Sequence, residues 1–273
     1  PEELLSIQEY ECVCADIQDL TYDIKQFRFE LKTPDRMKFI PGHYVQFLSP
    51  VYEGSEEDVY RAYSISSDPA DKGFIELIVR VVPNGICTTY MFEHLRVGDP
   101  VRINGPYGDF RLADTEAPIV FVAGGSGMAP IKSMLHEMVN TASTRTATYY
   151  FGVNTPEDLF FVEEMKAFEA KLPNFRFVPV LAVPEASNGW MGETGPPCKR
   201  SSGACGSSCS QTYPARPAVP RWPPPTPSTG RSAIPRPRWP SSCRGAHSRM
   251  PMDAFSTKHR AGSVCGSSAL GRT

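Results

Sequence analysis

The sequence predicts an antiparallel β-barrel domain, then a partial doubly wound α/β domain, then a C-terminal segment without globular character. In residues 10–112, short runs rich in Val, Ile, Tyr and Phe alternate with clusters of Pro, Gly and Asp. In residues 117–182, apolar runs alternate with segments of helical period. The first pattern is typical of barrels and sandwiches, and the second is typical of a parallel sheet. The predicted domains are 1–114, 115–195 and 196–273.

Six strand-like runs form the predicted barrel, and one helix-like segment, Thr88–Leu95, interrupts them. The stretch Val51–Val59 is acidic and predicts a solvated loop. β-branched and aromatic residues between turn-forming clusters favour strands. The six predicted strands are Tyr10–Ile17, Ile24–Leu31, Tyr44–Leu48, Tyr60–Ile65, Phe74–Val82 and Val101–Asn104.

The second domain begins with a continuous apolar run, Pro118–Ala123, as expected of a strand that is buried on both faces. A glycine-rich turn follows it. The further predicted elements are a helix at Ala129–Asn140, a strand at Thr146–Phe151, a helix at Pro156–Lys171 and a strand at Phe175–Val183. This order predicts a parallel sheet, and because it stops at three strands we expect the domain to be incomplete.

The composition excludes several classes of protein. The chain has 273 residues, of which 41% are hydrophobic and 21% charged, and these values exclude collagen-like, coiled-coil and fully disordered chains. No stretch reaches the roughly 18 apolar residues of a membrane span, and the first residues lead us to expect no signal peptide. We therefore expect a cytoplasmic protein, either free or at the cytoplasmic face of a membrane complex.

The net charge of −2 is the sum of two opposed segments. Residues 1–195 carry a net charge of −13, whereas residues 196–273 carry +11 and hold 13 of the 27 prolines. The second segment is compatible with a disordered basic tail, a small disulfide or metal module, or an out-of-frame translation. The abrupt change inside an unfinished domain favours the third interpretation. Scattered basic residues without a recognisable fold disfavour nucleic-acid binding.

The segment Arg61-Ala62-Tyr63-Ser64, at the end of a predicted strand, contains the first candidate binding residues. Alternation places Arg61 and Tyr63 on one face of the strand. A guanidinium suits a phosphate, a tyrosine ring suits a flat heteroaromatic, and a serine hydroxyl suits a ring nitrogen. The set fits the phosphate and ring system of a flavin, although an ordinary barrel strand also explains so short a motif.

A second candidate is the turn that contains Gly85, Ile86, Cys87 and Thr88. Gly85 suits a strained turn, and Thr88 or Thr89 suits the cap of the following helix. Because a helix N-terminus gathers unpaired N–H groups, this turn fits a pyrophosphate, but taken alone a plain turn and cap explains it better. We expect Cys87 to be a packed small residue and not a nucleophile, since no histidine lies near it in sequence.

The third candidate is the glycine-rich segment between the first strand and the first helix of the α/β domain. Glycines there let the backbone approach a ligand closely, as in dinucleotide-binding loops. The segment departs from the G-x-G-x-x-G fingerprint, so a tight turn without a ligand is the alternative interpretation. Its residues are Gly124, Gly125, Ser126, Gly127, Met128, Ala129 and Pro130.

The sequence predicts no metal site. The histidines are spread out, and the C-x4-C-x2-C pattern of plant-type iron–sulfur clusters is absent.

In this order and spacing, the motifs resemble the ferredoxin–NADP reductase superfamily. The resemblance covers about residues 8–195. It rests on Arg61-x-Tyr63-Ser64, Gly85-x-x-Thr88, the Gly-Pro-Tyr-Gly-x-Phe segment at 105–110, and the segment from Gly124 to Pro130. Within the superfamily, the run from Asp158 to Glu163 resembles the F subunit of sodium-pumping NADH:quinone reductase, and oxygenase reductase components are similar too.

The resemblance implies that the barrel binds FAD. Arg61 would contact the pyrophosphate, Tyr63 would stack on the isoalloxazine ring, and Ser64 would approach N5 of that ring. Tyr63 and Ser64 are therefore the candidate catalytic residues. The resemblance assigns further FAD contacts to Ile78, Val79, Arg80, Gly85, Ile86, Cys87 and Thr88. The segment from Gly124 to Pro130 would bind the nicotinamide dinucleotide.

The resemblance also implies that hydride passes from NADH to FAD and that single electrons then pass to an iron–sulfur protein or domain. Members that use NADPH often place an Arg after the second strand of the α/β domain, and residues 151–156 contain none, so NADH is expected. The Cys-Gly-x-Pro motif of the family is missing after Gly195. A catalytically impaired remnant is therefore one alternative, and a non-enzymatic interaction protein acting through its basic Pro-rich tail is another.

Overall fold

The computed structural model describes residues 6–53, 55–182 and 190–195. Within these residues, no helix has the length and apolar character to cross a membrane. The three interpretations of residues 196–273 lie outside the described residues.

A curled antiparallel sheet forms the first domain. Its strands are β1 (Gln8–Asp19), β2 (Ile24–Thr33), β3 (Tyr44–Ser49), β4 (Val59–Ser64), β5 (Phe74–Arg80) and β6 (Pro100–Tyr107). Their spatial order is β4-β3-β6-β1-β2-β5. The two outer strands, β4 and β5, approach each other at one end. There Ile65, directly after β4, forms a bridge with Leu77, and the Ser66 N–H donates to the Glu76 carbonyl oxygen at 2.8 Å. This half-closed barrel confirms the predicted fold of the domain.

Large apolar side chains fill the inside of the curled sheet. Phe27 and Phe29 on β2 are fully buried, and their rings stack with centroids 6.3 Å apart. Ile75, Leu77 and Val79 on β5 are buried in the same core. Each such side chain stabilises the fold by about 1.5–3 kcal/mol, and the period-two pattern of these strands places them all on the inner face of the sheet.

A short helical segment follows β5. It consists of α1 (Ile86–Thr89) and a wider π-type turn (Tyr90–His94), in which the Leu95 N–H donates to the Tyr90 carbonyl oxygen at 2.9 Å. The helix therefore begins two residues earlier than the sequence predicts.

The second domain is a parallel sheet with helices between its strands. Its elements are β7 (Ile119–Gly124), α2 (Met128–Asn140), β8 (Ala147–Val153), α3 (Val162–Lys171), β9 (Phe175–Leu181) and β10 (Glu193–Thr194). The spatial order is β10-β9-β8-β7, and each neighbouring pair is parallel. The predicted parallel sheet is confirmed. The expectation that it stops at three strands is wrong, because Glu193 and Thr194 add a short fourth strand beside β9.

The helix α3 begins at Val162, six residues later than predicted. Pro156–Asp158 forms one separate 3-10 turn, which is closed by a hydrogen bond from the Thr155 N–H to the Asp158 carboxylate at 3.1 Å. Phe161 then adopts a left-handed conformation with φ of +53°, and a residue in that region interrupts helical geometry. The apolar residues whose spacing predicted one helix from Pro156 to Lys171 are therefore divided between the 3-10 turn region and α3.

One face of β7 exposes apolar side chains. Val120 and Val122 are 51% and 43% exposed, whereas Phe121 between them is buried in the α/β core. Among the described strands, β7 pairs with β8 alone. The strand therefore has the composition of a central strand, which is apolar on both faces, but in the described part of the chain it lies at the edge of the sheet.

Arg145 fixes the connection between the two sheets. Its guanidinium donates to the carbonyl oxygens of Ala117 and Ala113 at 2.5 and 2.9 Å, and to the Thr115 hydroxyl at 3.2 Å. A planar group with five N–H donors can satisfy several acceptors at once. The chain between β6 and β7 is thus bound to the α/β domain.

The hydroxyl of Tyr149 on β8 is buried and has no hydrogen-bond partner among the described residues. Because such a group costs about 1–3 kcal/mol, Tyr149→Phe is expected to raise the free energy of unfolding by about 1 kcal/mol in urea titrations. The matched control is Tyr10→Phe, which removes a hydroxyl that accepts a hydrogen bond from Gln8 Nε2 at 2.9 Å. That control should lose about 1 kcal/mol, and equal losses in both variants would contradict the prediction.

Candidate functional site

Tyr63 on β4 and Cys87 on α1 are in direct contact. The Tyr63 hydroxyl donates to Cys87 Sγ at 3.4 Å, across 24 positions of sequence. Tyr63 is partly buried against the barrel core, whereas Arg61, on the same face of β4, is exposed. The structure therefore joins the first two sequence motifs at one place.

The Arg61 guanidinium has solvent-exposed donors. Its Nη1 donates to the Tyr60 carbonyl oxygen at 2.8 Å, and the side chain is exposed. Since a guanidinium has five N–H donors, most of them stay available to an anion. This is the donor chemistry that binds a phosphate.

Ser64 lies at the end of β4, and β3 separates it from Tyr107 on β6. In the strand register, Tyr44 of β3 pairs with Ser64 on one side and with Tyr107 of β6 on the other. The rings of Tyr44 and Tyr107 stack with centroids 5.5 Å apart, and the Tyr107 hydroxyl donates to Asn104 Oδ1 at 2.7 Å. The Gly-Pro-Tyr-Gly segment and the Arg61–Ser64 segment thus lie close together on the curled sheet.

Thr88 stabilises the turn before α1. Its hydroxyl accepts a hydrogen bond from the Val82 N–H at 3.2 Å and lies 3.2 and 3.1 Å from the carbonyl oxygens of Val82 and Gly85. A Cβ on Gly85 would lie 2.6 Å from that hydroxyl oxygen, so the turn has no room for a larger residue. Since the Thr88 hydroxyl is engaged in the turn, a pyrophosphate contact from Thr88 would come from its backbone N–H.

Cys87 has the properties of a packed residue. The thiol is buried, and burial raises the pKa of Cys87 to about 11. Burial also raises the pKa of the neighbouring Tyr63 phenol. Both groups therefore keep their protons at neutral pH, and Cys87 lacks the thiolate that a nucleophile needs.

The glycine-rich segment forms a tight turn between β7 and α2. Gly125 has φ of +56°, a value that residues with a side chain rarely adopt. A Cβ on Gly124 would lie 2.5 Å from the Gly152 carbonyl oxygen, so the carboxyl ends of β7 and β8 approach closely there. Gly127 has ordinary helical angles and leads into α2.

The glycine-rich segment divides into an accessible part and a packed part. Gly124 and Gly127 are exposed and Ser126 is partly exposed. Met128 and Ala129 are buried in the α/β core. Binding of a dinucleotide by these last two residues would therefore use their backbone.

Residues of β5 alternate between two apolar cores. Leu77 and Val79 are buried in the barrel core, whereas Ile78 is buried in the α/β core. Glu76 and Arg80 lie on the same side of the strand as Ile78, because side chains alternate. We call Glu76, Ile78 and Arg80 the interdomain face of β5. Since the side chains of Ile78 and Val79 serve packing, a flavin contact from either would come from the backbone.

Arg80 lies against the glycine-rich turn. A Cβ on Gly125 would collide with the Arg80 guanidinium. Arg80 Nε lies 3.2 Å from Asp23 Oδ2, which makes an ion pair, although the N–H direction does not make it a hydrogen bond. Arg80 thus connects β5, the loop before β2 and the turn that opens the α/β domain.

Two further residues shape this region and were not predicted from the sequence. Tyr52 lies in the acidic stretch, yet its hydroxyl donates to the Ile86 carbonyl oxygen at 2.8 Å and its ring centroid lies 4.7 Å from that of His94. Asp23 is buried, and its Oδ1 accepts a hydrogen bond from the Thr21 hydroxyl at 2.9 Å. In the sequence, Tyr52 is a tyrosine inside an acidic run and Asp23 is an aspartate in a turn. Both patterns are common, so neither indicates a functional residue.

Comparison with protein families decides the class of this chain. Residues 11–112 match the oxidoreductase FAD-binding domain, and residues 121–201 match the oxidoreductase NAD-binding domain. The chain belongs to the ferredoxin–NADP reductase superfamily. The resemblance carried by the sequence motifs is therefore confirmed.

Curated relatives share part of their length with this reductase-type chain. It is 35% identical over 191 residues to the phenol hydroxylase P5 protein of Acinetobacter pittii, covering 69% of this chain and 52% of that protein. It is 30% identical over 231 residues to the F subunit of the Na(+)-translocating NADH-quinone reductase of Methylococcus capsulatus, covering 71% and 56%. The chain thus spans about half the length of the curated relatives it matches.

A solved structure shares the fold of this superfamily member. The crystal structure of the reductase GcoB from Amycolatopsis matches with a TM-score of 0.65 and 27% identity. The match covers 72% of this chain and 57% of that one. The common part is therefore most of this chain and rather more than half of GcoB.

The described residues fit the two cofactors of the ferredoxin–NADP reductase superfamily. On β4, an exposed guanidinium and a partly buried phenol ring share one face, as the phosphate and ring of FAD require. At the start of α2, Gly124 and Gly127 are exposed and Ser126 is partly exposed, and the N-terminus of a helix suits a diphosphate. Among the described residues, no group of His, Cys, Asp and Glu could hold a metal ion.

Proposed function

We propose that this chain is the FAD- and NADH-binding part of a reductase that passes electrons from NADH to a one-electron acceptor. The observation that carries the proposal is the interdomain face of β5. There, Arg80 of the FAD-binding sheet lies against Gly125 of the NAD-binding domain. The proposed domains are 1–114 for FAD, 115–195 for the dinucleotide and 196–273 for the remaining segment.

On the flavin side, Arg61 is proposed to bind the pyrophosphate together with the first backbone N–H groups of α1. Those groups have no acceptor within the helix, and the contact between Tyr63 and Cys87 holds α1 beside β4. Tyr63 is proposed to stack on the isoalloxazine ring. Ser64 is proposed to hydrogen-bond at N5 of that ring, since a hydroxyl both donates and accepts.

On the dinucleotide side, the exposed backbone of Gly124, Ser126 and Gly127 is proposed to bind the diphosphate of NADH. When bound, FAD accepts a hydride from NADH and releases the electrons singly. The residues named above are proposed to orient the two rings, and Tyr63 and Cys87 keep their own protons at neutral pH because burial raises the pKa of both groups.

NADH is proposed as the donor and an iron–sulfur protein or domain as the acceptor. Residues 151–156, which form the end of β8 and the start of the following turn, contain no Arg that would bind a 2′-phosphate. The names of two relatives describe parts of larger enzymes, a phenol hydroxylase and an NADH-quinone reductase. By analogy, this chain is proposed to act beside a partner that receives its electrons.

The absorbance spectrum tests this function. The purified chain is reconstituted with FAD, freed of excess ligand and recorded without oxygen at roughly 350 to 550 nm, where oxidised flavin absorbs. A flavin spectrum that NADH bleaches faster than NADPH is the expected result. A retained flavin that neither nucleotide bleaches would instead support the impaired remnant. A chain that retains no flavin would overturn the proposal and leave the interaction protein as the alternative.

A further inference from the structure

Lys132 is buried between the two domains. Its side chain, on α2, is 5% exposed, and Nζ lies 3.1 Å from Glu76 Oε2 on β5 and 3.4 Å from Glu164 Oε1 on α3. The Phe161 ring also packs here, with its centroid 4.7 Å from Nζ. One cation therefore connects a strand of the FAD-binding sheet with two helices of the NAD-binding domain.

Two further polar residues of α2 contact the FAD-binding domain. His136 and Asn140 follow Lys132 by four and eight positions, which places all three near one face of the helix. His136 Nδ1 lies 3.5 Å from Asp68 Oδ2, and Nε2 lies 3.6 Å from Glu164 Oε1. The Asn140 amide donates to Asp68 Oδ1 at 2.6 Å. The helix is therefore bound to the first domain along three of its turns.

The position of α2 also sets the position of the glycine-rich turn, because the helix begins directly after Gly127. On the interdomain face of β5, Glu76 binds Lys132 and Arg80 lies against Gly125. A shift of α2 against β5 would therefore move the turn relative to the flavin-binding sheet.

The electrostatics of this cluster favour a geometric role over a stabilising one. Removing an ion from water costs several kcal/mol, so a buried ion triad rarely adds net stability. Burial is the largest single influence on Glu164 and raises its pKa, but the hydrogen bonds and charges of His136 and Lys132 together outweigh it and lower the pKa below its ordinary value. Glu164 thus stays charged at neutral pH, and the contacts with Lys132 require one arrangement of the three elements.

We propose that Lys132 is a positioning residue for hydride transfer, which bridges Glu76 and Glu164 and thereby fixes the dinucleotide-binding turn against the flavin-binding sheet. This inference rests on the proposed function, because the reaction it serves is transfer from NADH to FAD. In this scheme Lys132 contacts neither cofactor and acts through α2.

The test is the double variant Lys132→Met/Glu76→Gln, which removes the bridge without leaving Glu76 charged and unpaired. Stopped-flow reduction at saturating NADH is expected to slow by about tenfold or more, while the dissociation constants of NADH and FAD change by less than about threefold. Lys132→Arg, which keeps the charge, is expected to stay within about threefold of the wild-type rate.

The matched control is Lys166→Met on the exposed side of α3. Lys166 forms an ion pair with Glu163 at 2.8 Å, and both side chains are exposed, so its loss is expected to leave the reduction rate unchanged.

A second readout needs no cofactor. In FAD-free protein, backbone amides of β5 and of the first turns of α2 are expected to exchange hydrogen faster in the double variant than in the control.

Wild-type reduction rates together with wild-type exchange in the double variant would overturn the inference. If the double variant does not fold, Glu76→Ala replaces it, because this variant keeps Lys132 paired with Glu164. Glu76→Ala is expected to slow flavin reduction by about fivefold. An unchanged reduction rate in Glu76→Ala would also overturn the inference. If NADH does not reduce wild-type flavin, the proposed function fails and the transfer role with it. Hydrogen exchange of the FAD-free protein then still decides whether the bridge fixes the two domains.

Discussion

Arg61→Ala is expected to weaken FAD binding by about ten- to a hundredfold, because a hydrogen bond to a charged group contributes about 1.5–3 kcal/mol. The side chain is exposed, and its one described hydrogen bond is to the adjacent Tyr60 carbonyl oxygen. The fold should therefore change in stability by less than about 0.5 kcal/mol. Titration of FAD-free protein with FAD, followed by flavin fluorescence, measures the dissociation constant.

Two controls accompany this prediction. Arg176→Ala removes another exposed guanidinium, on β9, and should leave FAD binding unchanged. Cys87→Ala should also retain FAD, because the buried thiol packs against Tyr63 and the proposed contact comes from the backbone. Equal FAD affinity in the Arg61 and Arg176 variants would remove the phosphate-binding role of Arg61.

Gly125→Ala is expected to raise the NADH dissociation constant by about tenfold and to lower the free energy of unfolding by about 1–2 kcal/mol. The φ of +56° is unfavourable for alanine by about that amount. The new Cβ would also collide with the Arg80 guanidinium and displace it from the turn. Flavin reduction at increasing NADH concentrations and urea denaturation measure the two effects.

Gly98→Ala separates backbone strain from the collision with Arg80. Gly98 has φ of +96°, and a Cβ there would meet nothing within 4 Å. This control is therefore expected to lose stability without any change in NADH binding. Gly73→Ala, which has neither constraint, should be close to neutral. An NADH dissociation constant for Gly125→Ala equal to that of Gly98→Ala would refute the assignment of the turn.

Much of the fold could be predicted because its signals are local. The apolar run before Gly124 and the period-two patterns of β2 and β5 follow from the faces that a strand buries. The helix predicted from Pro156 was wrong for a reason that is not local. The left-handed Phe161 divides it, and the Phe161 ring packs beside the buried Lys132 ammonium of another helix.

The candidate site was predicted only as far as the chemistry of single segments allows. A guanidinium, a phenol and a hydroxyl within four residues indicate a phosphate and a flat ring wherever they occur. The bridge from Lys132 to Glu76 joins residues 56 positions apart, and a lysine on an amphipathic helix usually indicates a solvated face. Nothing in the sequence distinguishes this lysine from an exposed one.

By itself the sequence determined the two sheet types, their order along the chain and the groups that suit a flavin and a dinucleotide. Those properties depend on hydrophobic period and on functional groups that lie next to each other in the chain. The packing of the folded chain sets which residues of β5 face the α/β domain, places Arg80 against Gly125 and buries Lys132 between two carboxylates. These contacts depend on how the two sheets pack against each other, which is set by the sum of many distant side-chain contacts and not by any local pattern.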